Sequence, residues 1–141
     1  MARNEETILL QLEKEGAVLG SVVMEQCLPA GETELASHFR LIADHLALTM
    51  REETPAKRRH LRRETSKYIN KLGDVVREKH IQHHREFSCT DQYNECVRKQ
   101  KKQKKSPYLC SVALFICLAN SMKVLLAAIA AAATKAGGLL G

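Results

Sequence analysis

The sequence predicts an all-α protein, and three observations carry that expectation. Apolar residues recur at steps of three and four in successive segments. The 3 prolines stand at segment boundaries: Pro29 in the break Leu28-Pro29-Ala30-Gly31, Pro55 after Thr54, and Pro107 after Ser106. The chain shows neither an internal repeat nor strand-like alternation. The expected architecture is a small three-helix bundle plus a C-terminal transmembrane helix. Residues 1–87 form the helical region, with helices over about 5–26, 34–51 and 55–86. A basic connector over 88–106, a membrane helix over 107–135 and a short tail over 136–141 follow.

Asn4 is placed to cap the first helix, with Glu5 and Glu6 at the positive end of its dipole. Ile8, Leu12, Leu19, Val22 and Val23 give its apolar stripe. Gly16 and Gly20 each weaken a helix by about 1 kcal/mol relative to Ala, unless a neighbouring helix uses their missing side chains. Thr33 caps the second helix. Its Leu35, Phe39, Ile42, Leu46 and Met50, spaced by 4, 3, 4 and 4, share one face. Thr54-Pro55 opens the third helix, where Leu61, Tyr68, Ile69, Leu72, Val75 and Val76 form the stripe. Ser88 to Ser106 is too polar for burial and is expected as a frayed helix or a basic linker.

From Tyr108 to Thr134 the chain is apolar, interrupted by Asn120, Ser121 and Lys123. Roughly 20 helical residues cross hydrocarbon about 30 Å thick, so the run is long enough. Arg98, Lys99, Lys101, Lys102, Lys104 and Lys105 precede it. They are the candidate anionic-lipid-binding residues, and they place this side of the membrane in the cytosol. Lys123 opposes a spanning helix by on the order of 3 kcal/mol. The alternative is two half-length pieces, Tyr108–Met122 and Val124–Thr134, as a membrane hairpin or as two helices of a soluble core. The expectation is a single-pass, tail-anchored protein with a cytosolic N-terminus, at the mitochondrial outer membrane or the endoplasmic reticulum. Acidic residues among the first apolar ones exclude a signal peptide at the start. Cys27, Cys89, Cys96, Cys110 and Cys117 are then expected mostly as thiols. Cys110 and Cys117 are read as buried and inert, with palmitoylation as the alternative.

Charge is unevenly distributed. Residues 1–50 carry 3 basic and 8 acidic side chains, whereas 51–105 carry 17 basic and 8 acidic. This basic waist suits anionic lipid or, through Lys57-Arg58-Arg59-His60-Leu61-Arg62-Arg63, nucleic acid; a solvated helix face accounts for it equally well. With no Trp, 3 Phe and 3 Tyr, aromatic packing is scarce. No glycine-rich phosphate loop, nucleophile elbow or acid pair in a pocket-forming context is present, so no catalytic residue and no cofactor are assigned and the protein is read as non-enzymatic. His80 and His84 share a helix face, and Cys89 and Cys96 suit zinc by type. The six residues between those cysteines do not make a zinc-knuckle loop, and no metal site is assigned.

Leu35-Ala36-Ser37-His38-Phe39-Arg40-Leu41-Ile42-Ala43-Asp44-His45-Leu46 resembles the third homology motif of the Bcl-2 family. The resemblance implies partner binding. Leu35, Phe39, Ile42 and Leu46 would enter a hydrophobic groove on a protein partner, Ala43 would permit close approach, and Asp44 would pair with an arginine there. It points to the family's motif-only, tail-anchored members and to regulation of apoptosis. A poorer copy lies at Ile69 to Val76. Residues 39–72 are also similar to the BESS interaction motif of some insect transcription regulators, which implies a soluble nuclear protein binding protein or nucleic acid. The order of helices, basic cluster and anchor further resembles SNARE-like or SNARE-accessory trafficking proteins, although 55–105 lack sustained apolar heptads.

Overall fold

The computed structural model describes residues 2–27, 33–80 and 84–121. These residues are helical apart from short connections, as expected for an all-α chain. Helix α1 (Ala2–Val22) begins ahead of the Asn4 cap and runs into a π-helical turn, Val23–Cys27. Next come α2 (Thr33–Arg51), α3 (Pro55–His80) and α4 (His84–Lys102). A fifth helix, α5, runs from 108 to 121, the last described residue. The chain thus forms α4 over most of the segment expected as a basic connector; α3 is described as far as His80, and residues 81–83 lie outside the described residues.

The two Ser/Thr-Pro signals open helices. Residues 52–54 turn the chain between α2 and α3, and Arg58 N donates to Thr54 O at 2.9 Å to start α3. Before α5, Tyr108 N donates to the Ser106 hydroxyl at 3.3 Å and Ser111 N to Pro107 O at 3.2 Å. The backbone bonds are the first of each helix, the Ser106 hydroxyl satisfies a donor that the first turn of α5 leaves open, and proline presets the backbone in both.

Helix α2 packs between α1 and α3, and its apolar stripe makes the centre of the core. Leu35, Phe39, Ile42 and Leu46 are fully buried there against Ile69, Leu72 and Val76 of α3. Helix α5 adds Val112, Phe115 and Leu118 to the same cluster, with the rings of Phe39 and Phe115 at 5.4 Å. The glycines of α1 admit this layer. A Cβ at Gly20 would stand 2.8 Å from Phe115 Cζ, and one at Gly16 would stand 2.9 Å from Leu46 Cδ1. The helix-weakening glycines are therefore offset by the close approach they allow.

No helix among the described residues is long and apolar enough to cross a membrane. The first half of the expected transmembrane segment is α5, whose apolar face lies against protein rather than lipid. Residues 122–135, the second half of the expected span, lie outside the described residues.

Candidate anion-binding face

The candidate site begins with four cysteines. Cys89 and Cys96 lie seven residues apart on α4, two helical turns, and Cys110 and Cys117 repeat that spacing on α5. An antiparallel pair of helices then brings first to last. Cys89 bonds Cys117 and Cys96 bonds Cys110, with Cα atoms 5.7 Å apart in both. The expectation of thiols, inert or palmitoylated, is corrected for these four. It arose from assigning the chain to a reducing compartment, whereas the pairing follows from hairpin geometry. The side chain of Cys27 lies outside the described ones.

Helix α4 is mostly polar, and it touches α3 sparsely. The two sulfur bridges hold it to α5 while a cleft of about 1360 Å³ remains between α4 and the α1–α3 side, lined also by Gln103 and by residues 105–109. Ile8 and Leu9 of α1, Leu109 of α5 and the Cys96–Cys110 bridge give the cleft an apolar lining. Ile8 is 51% exposed there, more than any apolar packing role requires.

Beneath the apolar lining is a buried charge network. Glu13 is fully buried and takes two hydrogen bonds from Arg62, from Nε at 3.2 Å and Nη2 at 3.0 Å. The same guanidinium donates to Glu6 through Nη1 at 3.0 Å and Nη2 at 2.8 Å. Its face lies 5.4 Å from the centre of the Tyr108 ring, and the Tyr108 hydroxyl donates to Glu13 at 2.5 Å. Burial alone would lower the Arg62 pKa, but hydrogen bonds to Glu6 and Glu13 outweigh it and raise the pKa. Burial first, then the Glu13 charge, raises Tyr108 and keeps its hydroxyl a donor. The Arg62 hydrogen bond holds Glu6 below the usual carboxylate range. With its donors committed to two carboxylates, Arg62 is a fixed element of the floor rather than an available ligand-binding cation.

The walls differ in this respect. Arg59, Arg63 and Lys67 line the cleft at i, i+4 and i+8 of α3, so they form one row about 12 Å long. All three are exposed, and none has an ion-pair partner among the described residues. Lys99 and Lys105 line the opposite side; Lys105 Nζ pairs with Glu5 at 2.7 Å, and Lys99 Nζ stands 4.0 Å from Glu95. Asp91 and Glu95 also line the α4 wall. Glu95 accepts a 2.6 Å bond from Arg98, which lowers its pKa.

The expected lipid-binding residues lie beside this cleft. Arg98, Lys99, Lys101, Lys102, Lys104 and Lys105 are all exposed at the end of α4 and in the turn after it. Lys104 takes a left-handed φ of 55° there, while Lys105 N bonds Gln100 O at 2.9 Å and Lys104 N bonds Lys101 O at 3.1 Å. This Schellman cap folds the lysine run into a compact turn at the cleft mouth.

The six residues expected to enter a partner's groove fall elsewhere. Leu35, Phe39, Ile42, Ala43 and Leu46 are core residues, and Asp44 alone of the six is exposed. Their apolar face is covered by this chain's own helices as long as the bundle is closed. Cys89 and Cys96, once weighed as zinc ligands, are in disulfides, and the imidazoles of His80 and His84 lie outside the described side chains. No cluster among the described residues groups three potential metal ligands.

Sequence reasoning assigned no role to Glu13, Tyr108 or Lys67. Glu13 carries a visible signal, a carboxylate on the face of α1 that also carries Gly16 and Gly20. Lys67 extends the Arg59 and Arg63 row by one turn, a signal that helical spacing alone supplies. The chain matches no known family model, no curated protein and no solved structure.

Proposed function

We propose that this chain is a non-enzymatic helical protein that docks on anionic membrane surfaces. The observation that carries this reading is the row Arg59, Arg63 and Lys67. These three cations lack ion-pair partners among the described residues and line one cleft with Lys99 and Lys105, which belong to the exposed lysine run across from them. Each Lys or Arg near an anionic bilayer contributes about 1 kcal/mol, so a face of this size suffices for reversible attachment. Attachment at the surface replaces the spanning anchor in this proposal. The support for this is that α5, the first half of the expected span, packs in the core. Disulfides persist in oxidising surroundings, so the face proposed here belongs to the disulfide-bonded form of the chain. Lipid is favoured over nucleic acid because the cations border exposed apolar residues, which phosphate-backbone binding does not use.

Cosedimentation of the full chain with vesicles tests the reading. Vesicles containing an acidic phospholipid should retain the protein at low salt and release it at high salt, and neutral vesicles should not bind it. The double charge reversal Lys101→Glu and Lys102→Glu should weaken retention at least tenfold. Equal binding to neutral and acidic vesicles overturns the proposal, as does tighter binding to duplex DNA than to either. Binding of a partner's groove through α2 is not carried forward, because Leu35, Phe39, Ile42 and Leu46 would have to leave the core first.

A further inference from the structure

The cleft beside the basic face has a form that surface docking does not require. A flat cationic patch is enough to hold a charged bilayer, yet here the cations edge a concave, partly apolar space of about 1360 Å³. Ordinary small-molecule pockets span roughly 300–1,000 Å³, so this cleft has room for an elongated ligand. Its two chemistries are segregated. The cationic row of Arg59, Arg63 and Lys67 runs along α3, while Ile8, Leu9 and Leu109 lie on the α1 and α5 sides. The network below is saturated, since Arg62, Glu6, Glu13 and Tyr108 bond one another. The acids of the lining are Glu5 on α1 and Asp91 and Glu95 on α4; Glu5 is tied to Lys105 and Glu95 to Arg98, and the α4 carboxylates leave the α3 wall as the side for an anionic head group.

We infer that this cleft binds one single-chain anionic lipid, with a phosphate head on Arg59, Arg63 and Lys67 and the hydrocarbon chain along Ile8, Leu9 and Leu109. The inference rests on the membrane-surface reading for the source of its ligand. A free phosphate would use the row but leave Ile8 exposed, and a neutral lipid would cover Ile8 but leave the row uncompensated. An acidic amphipathic peptide would also satisfy both, and it is the competitor that the displacement measurement below separates from a lipid. The segment 122–135 does not complement the site, because its only charged residues are Lys123 and Lys135. The α4 wall is set by the Cys89–Cys117 and Cys96–Cys110 bridges, so the cleft exists in the disulfide-bonded chain.

Titration of the full-length oxidised chain with a lysophosphatidic acid series of increasing acyl length, each below its micellar concentration, tests this by calorimetry. Native mass spectrometry gives the stoichiometry. One molecule should bind per chain, and affinity should rise about fourfold per added methylene until the cleft is filled, after which it levels off. Glycerol phosphate, which has the head without the chain, and lysophosphatidylcholine, which has the chain with a zwitterionic head, should each bind at least tenfold more weakly. Arg63→Glu should cost at least tenfold and Ile8→Ser several-fold; both positions are exposed, so folding is preserved. The Lys101→Glu and Lys102→Glu double variant lies outside the cleft lining, so it should lose vesicles while keeping the lysolipid. Loss of vesicle binding by the unmodified chain with lysolipid binding intact would remove the surface reading alone. Affinity independent of acyl length, glycerol phosphate binding as tightly as the lysolipid, or full binding by Arg63→Glu overturns the inference. Displacement of the lysolipid by an acidic peptide that itself binds more tightly would also overturn it.

Discussion

Glu13 lies on the glycine face of α1, fully buried, with its carboxylate shared between Arg62 of α3 and Tyr108 of α5. Taking such a group out of water is costly, and only a complete set of donors offsets the penalty. Its removal would leave the Tyr108 hydroxyl without its acceptor and Arg62 with Glu6 alone. Glu13→Ala should therefore lower unfolding free energy by about 2–4 kcal/mol in denaturant titration, a large share of a typical domain's 5–15. A loss below about 1 kcal/mol would mean that the network is not formed. Glu6 gives the network a pH dependence. Its folded pKa is depressed, so its stabilisation is present above the ordinary carboxylate pKa and is lost as pH falls through the lower folded value. Stability should decline on acidification below about pH 4.5, and Glu6→Gln should flatten part of that slope by less than about 1 kcal/mol for this partly solvated pair. An unchanged slope in the variant would assign the acid sensitivity elsewhere.

At the scale of elements, α4 is the informative case. Its composition pointed to a connector because few of its residues can be buried: Cys89 is buried, while Tyr93 and Cys96 are half-buried. What fixes the helix is covalent. The cysteine numbers did contain that information, since 89 pairs with 117 and 96 with 110 symmetrically about the turn at Gln103 and Lys104. A hairpin centred there is the one arrangement in which both heptad-spaced pairs meet. The symmetry was obscured because the expected membrane orientation placed the cysteines in a reducing environment or in lipid. Loops closed over separations of 14 and 28 residues are each worth about 3 kcal/mol in the chain-entropy account, and less in sum because one encloses the other. Reduction should therefore release α4 before the bundle. In hydrogen exchange, amides of 89–102 should lose protection on adding reductant while those of α2 keep theirs. Simultaneous loss in both helices would show that α4 and the core unfold together, and retained protection in α4 would show that its packing suffices without sulfur.

For the molecule as a whole, the all-α class and the inner face of α2 were legible because helical periodicity and capping are local properties. The same periodicity could not distinguish a helix facing its own bundle from one facing a partner, since Leu35, Phe39, Ile42 and Leu46 present an identical stripe in either setting. The run after Pro107 was ambiguous for a related reason, because apolar content measures the wish to leave water and not whether protein or lipid replaces it. The glycines of α1 carried the missing clue. Gly16 and Gly20, at i and i+4, prepare a groove for a bulky partner, and Phe115 fills it against Phe39 and Ala43. If α5 belongs to the core, its contribution must appear in water without lipid or detergent. Phe115→Ala should lower unfolding free energy by about 3–5 kcal/mol through lost burial and the cavity left beside Gly20. A chain ending at Lys105 should lose its cooperative thermal transition, because α2 and α3 would then expose Phe39, Ile42 and Ile69 to solvent. Were that shortened chain to melt as sharply as the full one, with Phe115→Ala neutral in buffer, α1, α2 and α3 would constitute the stable unit. Residues 108–121 would then return to the bilayer role first expected of them.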